Sequence, residues 1–178
     1  MICLRSKNGQ SLIVGESLNK ERFLRYEKIK NVDFLLMTSE PSTSGENAGY
    51  GEKSVLSYED YASVDGERIL DKNQINLIGD FAIRSIYSDG KVLATKIDFD
   101  GISIFFTNVG DLSYNETMIE PLLDESVDVA FVYHNIWLCS KVDAKVKVTE
   151  MHSSIANYSW EEQGNMQFNK NLVLRSVD

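Results

Sequence analysis

Turn residues interrupt this chain at short intervals, and that spacing constrains its fold more than any other feature. Lys7-Asn8-Gly9-Gln10, Gly79-Asp80, Ser88-Asp89-Gly90 and Asp100-Gly101 each separate short apolar runs. A helix needs about 10 residues or more to present a buried face, so runs this short between Asn-Gly and Asp-Gly turns read as strands. Strands are therefore expected at 2–5 and 11–15, joined by a hairpin in which Asn8-Gly9 supplies positive φ angles. Four more, at 75–78, 81–87, 92–99 and 102–107, read as an antiparallel meander. The runs at 32–38 and 127–133 are continuously apolar, as in strands covered on both faces. Further strands are expected at 54–56, 145–151 and 171–177.

A helical period occurs in few places. Leu18, Phe23, Tyr26 and Ile29 share one face of a helix expected at 18–29. A helix of one or two turns is expected at 57–63 with Ser57 as its N-cap, its apolar side carrying Tyr58 and Tyr61. Ser113 caps a third at 114–125, which buries Met118, Ile119, Leu122 and Leu123 and is bent by Pro121. Residues 39–52 are Ser, Thr, Gly, Asn and Pro in place of apolar side chains and read as the longest loop, open to proteolysis. Residues 152–164 are polar, with room for one short helix.

A chain of 178 residues with 43% hydrophobic content has the size and core of one domain, spanning 1–178. Its net charge of −9 and pI near 4.8 repel phosphate backbones and anionic lipid, so neither nucleic acid nor a membrane surface is an expected partner. No run of about 18 apolar residues is present. The apolar start at Met1 to Leu4 is broken by Arg5 and Lys7, too short for a secretory signal, and a cytoplasmic location is expected. Cys3 and Cys139 then read as two buried free thiols rather than a disulfide.

The chemistry-bearing motifs are incomplete. Asp98-Phe99-Asp100-Gly101 begins like a calcium loop but lacks the later ligands, and reads as a hairpin turn. The carboxylate pairs Glu59-Asp60, Asp124-Glu125 and Glu161-Glu162 do not converge on a point and read as solvated charges. Gly45 to Gly51 is Gly-rich without the lysine and helix of a phosphate loop. His134 and His152 each follow an apolar strand, where α/β sheets place binding residues. Two histidines alone do not complete a three-ligand zinc site, and no H-x-H, H-E-x-x-H or C-x-x-C spacing occurs.

The order of elements resembles the metallo-β-lactamase-like hydrolases, in particular the short single-domain bacterial metal-dependent type. In that family a first hairpin leads to a strand ending in T-H-x-H-x-D-H. Here Thr38 is followed by Ser39, Pro41, Thr43 and Ser44 at the ligand positions. The family's D-G-x-x-I-x-F-T-G-D is similar to the stretch from Asp100 to Val109, with Val109 at the bridging aspartate and Asp111 two residues on. Val127 to Val132 is similar to a later family strand, and Val148-Thr149-Glu150-Met151-His152 to the closing strand, where a ligand histidine follows a methionine. The resemblance implies an α/β fold, an αββα sandwich of two mixed sheets flanked by helices, each half of the chain contributing one sheet.

Three functions follow as expectations. The first is a degenerate, catalytically inactive member with a binding or structural role, assembled as a homo-oligomer, with no metal and no cofactor. The second is a metal-dependent hydrolase with a non-standard site drawn from Glu40, Asp111, His134 and His152. The third is a sensor holding a small-molecule ligand in the old cleft, with Glu40, Asp111 and His152 as candidate contacts.

Overall fold

The structure, a computed structural model, describes residues 2–15, 32–38, 54–59, 68–107, 116–132 and 136–148. The expected helix at 18–29, the loop at 39–52 and the chain beyond residue 148 lie outside the described residues.

Two mixed β-sheets face each other, and each half of the chain builds one. The first contains β1 (Ile2–Arg5), β2 (Ser11–Gly15), β3 (Phe34–Met37), β4 (Ser54–Ser57) and β5 (Arg68–Ile69), in that spatial order. β1 and β2 are antiparallel, while β2 through β5 run parallel. The second sheet has the order β11-β10-β9-β8-β7-β6, from β6 (Ile75–Ile78), β7 (Phe81–Ser88), β8 (Lys91–Phe99), β9 (Ile102–Thr107), β10 (Val127–Phe131) and β11 (Ala144–Val148). β6 to β9 form the expected meander, and β10 and β11 add on in parallel. Two helices occur among the described residues, α1 (Glu116–Leu123) and α2 (Ile136–Lys141).

Alternation along the strands explains the layers. Leu12, Val14, Leu36 and Leu56 of the first sheet meet Phe81, Ile83, Ile97, Ile104, Val129 and Phe131 of the second in one buried core. The opposite face of the second sheet forms another cluster, in which Leu93, Phe105 and Ala130 pack under Ile119 and Leu122 of α1 and Leu138 of α2. On the far face of the first sheet Ile13, Leu35, Met37 and Val55 are buried as well, which is why 32–38 reads as a continuously apolar run.

Turn chemistry sets the meander's register. Asp89 and Gly90, and likewise Asp100 and Gly101, all have positive φ, the signature of type I′ turns. Asp100-Gly101 is thus a hairpin turn, as expected. The first hairpin differs from expectation, since only Gly9 has positive φ and Ser6 pairs with Gln10 around a three-residue loop. A bulge in the β7–β8 pair lies between Ile86↔Ala94 and Tyr87↔Val92. It turns both Leu93 and Ala94 toward the helices while Tyr87 and Val92 face the inter-sheet core.

Four local expectations need correction. Cys3 is exposed rather than buried, because Ile2 and Leu4 take the core side of β1. Ser57 is the last residue of β4 and its hydroxyl donates to the Tyr58 carbonyl, at 3.2 Å. Tyr58 is buried in the inter-sheet core instead of lining a helix face. Met118 is 40% exposed on α1, whose buried stripe is carried by Ile119 and Leu122.

Candidate functional site

Hydrogen bonds between turns define one end of the sandwich. Ser6 Oγ donates to Asp80 Oδ2 at 2.5 Å, and Asn8 Nδ2 to Asp80 Oδ1 at 3.1 Å. The Asp80 amide donates to Gln10 Oε1 at 2.8 Å, and the Lys7 amide to Asp100 Oδ2 at 2.6 Å. β2 and β9 start from these turns, and β3 to β5 and β10 to β11 run parallel to them. The C-terminal ends of β2 to β5 and β9 to β11 therefore all lie at the opposite end. In open α/β sheets that is where ligands bind.

Every candidate residue follows one of those strand ends. Glu40 comes after β3, Asp111 after β9, His134 after β10 and His152 after β11. β9, β10 and β11 finish level, with Phe106 opposite Phe131 and Phe131 opposite Val148. The four residues themselves lie outside the described residues, as do Ser39, Pro41, Thr43, Ser44 and Val109.

The described part of this end is built from aromatic and polar side chains. Thr38 follows β3, Tyr58 follows β4 and Thr107 ends β9, and all three are buried. The Tyr58 and Tyr87 rings lie 5.5 Å apart and join the two sheets across the core. Lys72 Nζ sits 4.6 Å from the centre of the Tyr87 ring and 3.8 Å from the Glu59 carboxylate, so its charge is held by a ring face and an anion together. Asn73, at φ 59°, accepts from the Tyr87 amide at 2.7 Å and donates to its carbonyl at 3.2 Å. The side-chain amide thus continues the β6 ladder past the strand's end. Thr107 Oγ1 is buried and has no hydrogen-bond partner among the described residues. Thr38 and Thr107 stand at the threonines of the two family motifs, whereas Tyr58, Tyr87, Lys72 and Asn73 did not stand out in the sequence as site residues. Their grouping depends on the two sheets meeting face to face.

A second polar cluster lies on the outer face of the second sheet. Lys96 is buried there, bonded to Glu125 and 3.6 Å from Asp98. Arg84 reaches Glu125 at 3.4 Å, Ser103 Oγ donates to Asp98, and Asp128 accepts from Ser103 N at 2.8 Å and from Lys145 at 2.6 Å. The Lys96 hydrogen bond holds the Glu125 carboxyl below its usual range, with Lys96 and Arg84 charges adding to the shift and desolvation opposing it. Glu125 is thus an ion-pair partner as well as a surface charge. Cations and carboxylates balance one for one, Arg84, Lys96 and Lys145 against Asp98, Glu125 and Asp128, as suits a structural tie. Among the described residues no three His, Cys, Asp or Glu side chains converge as a metal ion would require.

No protein-family model matches the chain, and no curated protein matches it. Solved structures do. A metallo-β-lactamase with a HARLDQ motif from Cronobacter sakazakii superposes with TM-score 0.52 at 9% identity, over 72% of this chain and 64% of its own. A candidate Zn-dependent hydrolase of the metallo-β-lactamase superfamily from Thermotoga maritima matches with TM-score 0.48 at 14% identity, over 82% of this chain and 67% of its own. The chain therefore spans about two thirds of the length of each. With the two mixed sheets, the helices on the outer face and the shared end of the parallel strands, the fold of this chain is the metallo-β-lactamase fold.

Proposed function

We propose that this chain uses the metallo-β-lactamase fold for a binding or structural role, without metal-dependent hydrolysis. The observation that carries the reading is the chemistry of the side chains at the family's ligand positions. Ser39, Pro41, Thr43 and Ser44 follow β3, and Val109 follows β9. Tight zinc sites take three or four imidazole, thiolate or carboxylate donors at about 2.0 to 2.3 Å. Neutral hydroxyls, a proline and a valine are not such donors. This set does not fit the superfamily's metal centre, so hydrolysis through that centre does not follow from these residues. The same reading keeps the protein in the cytoplasm, with its charge of −9 setting it against nucleic acid and anionic membranes. No helix among the described residues is long and apolar enough to cross a membrane.

Elemental analysis of the gently purified protein tests the proposal, together with assays of ester, thioester and phosphodiester hydrolysis with and without a chelator. The expected result is far less than one transition-metal ion per chain and no chelator-sensitive turnover. Near one equivalent of zinc, iron or manganese, lost with activity in His152→Ala, overturns it.

That outcome belongs to the second reading, a hydrolase with a non-standard site. It draws support from one observation, that the strands preceding Glu40, Asp111, His134 and His152 all end on the same side of the sandwich. A sensor role would show instead as thermal stabilisation by a small metabolite in the metal-free protein.

A further inference from the structure

Among the described residues each sheet has two edge strands, and three of the four carry the charges that normally discourage strand-to-strand association. β1 carries Arg5, β5 is two residues long and carries Arg68, and β11 carries Lys145 and Lys147. β6 does not follow this pattern. Residues 73–79 (Asn-Gln-Ile-Asn-Leu-Ile-Gly) contain no charge in a chain that is 25% charged. Two large aliphatic side chains of β6, Ile75 at 64% and Leu77 at 71%, stand exposed on it.

The backbone of this edge is open as well. β6 and β7 are joined by the two-residue turn Gly79-Asp80, and Ile78 pairs with Phe81 next to it. In such a hairpin the closing pair is hydrogen-bonded and pairs alternate from there, so Ile78 and Asn76 bond to β7 while Ile75 and Leu77 aim their amides and carbonyls outward. The Arg68 guanidinium confirms the direction for one of them, donating to the Leu77 carbonyl at 3.4 Å from the far side. That bond is long and exposed, and it leaves the Ile75 and Leu77 amides to a further acceptor.

We propose that β6 is a self-association edge, through which two copies of the chain pair antiparallel about a two-fold axis at Asn76. The segment is self-complementary about that axis. Ile75 of one copy then faces Leu77 of the other twice over, in hydrogen-bonded register, and both aliphatic pairs fall on the same face of a joined sheet. Charge decides for a second copy. Apposed to itself, β11 would crowd Lys145 and Lys147 against their copies, whereas the uncharged 73–79 segment sets no like charges opposite one another. On the neighbouring strand Arg84, opposite Ile75, is already paired with Glu125 and adds no repulsion. One short strand buries well under the roughly 800 Å² per partner of a standard stable interface, so the dimer forms by concentration rather than being permanent.

Sedimentation velocity on the full chain across a range of concentrations tests the pairing, alongside amide hydrogen exchange at the two ends of that range. Wild type should shift from monomer to dimer as concentration rises, with exchange at Ile75 and Leu77 slowing in step. Leu77→Lys should remain monomeric throughout with an unchanged circular dichroism spectrum, since Leu77 makes no part of the buried core. Ile75→Glu serves as the second variant and should behave alike. A wild type that stays monomeric, leaving this edge to a different protein, overturns the proposal. So does a dimer that persists in both variants, or one whose formation leaves exchange at Ile75 and Leu77 untouched.

Discussion

Glu125 is half-exposed, yet its carboxylate is held by Lys96 on one side and Arg84 on the other, which stabilises its ionised form in the folded state. Its folded pKa is therefore lower than its unfolded one. By linkage, the stabilisation is fully present above the unfolded value and is lost as pH falls through the ordinary glutamate range toward the folded value. Part of the protein's acid sensitivity should thus reside in this one group. In Glu125→Gln, stability at neutral pH should fall while its loss between neutral pH and the acid limb becomes smaller than in wild type. Urea denaturation of both proteins at a series of pH values measures this. An equal acid loss in the variant would assign the sensitivity to other carboxylates. Lys96 itself was not legible as buried, since an alternating strand with a lysine on its outer face normally sends that lysine to water. Glu125, 29 residues away in sequence, makes its burial tolerable together with Asp98.

Among the elements, the meander was the most legible part of the chain, because the Asp-Gly turns and the period of its strands are both local signals. Elements defined by distant partners were not. β5 is two residues long and exists only through its parallel pairing with β4. α2 is six residues long, too short for a helical period to stand out between two strands. The strand read at 127–133 ends its ladder at Phe131, because Val132 is buried without pairing, while the last three residues of the strand read at 145–151 lie outside the described residues. That His134 and His152 follow apolar strands could be read from the sequence, whereas the Tyr58, Tyr87 and Lys72 group could not. Its members come from both sheets. Turns carry an element-scale prediction of their own. Gly79 and Gly101 both have positive φ, so alanine at either meets the left-handed penalty of about 1 to 2 kcal/mol. A Cβ at Gly101 meets open space, but one at Gly79 collides with Gln10 Oε1, which accepts the Asp80 amide and helps tie the two sheets together. Gly79→Ala should therefore destabilise more than Gly101→Ala, by about 1 kcal/mol for the lost bond. Equal losses in chemical denaturation would mean that Gln10 moves aside without cost.

At the scale of the whole molecule, the two sheets share their principal core, so the first half of the chain is buried against the second, which packs a further cluster of its own under α1 and α2. Leu12, Leu36 and Leu56 from the first half are buried only by apposition to Phe81, Ile97 and Phe131 from the second. Both ends of the contact are also tied, by hydrogen bonds to Asp80 at one end and by the Tyr58–Tyr87 ring pair at the other. Damage to one sheet should consequently be felt in the other. Phe131 is 7% exposed on β10, opposite Phe106 and among the inter-sheet side chains. Phe131→Asp would bury a carboxylate among these apolar side chains, at a cost of several kcal/mol, roughly the whole stability margin of an average domain. Hydrogen exchange provides the sharper readout. Amides of Leu35 and Leu36, in the other sheet and far along the chain, should lose protection together with those of Ile104 and Phe105. If the first sheet kept its protection while the second lost it, the halves would be separate folding units and the shared core would not bind them into one. A soluble Phe131→Asp variant with wild-type stability would go further and remove β10 from the interior altogether.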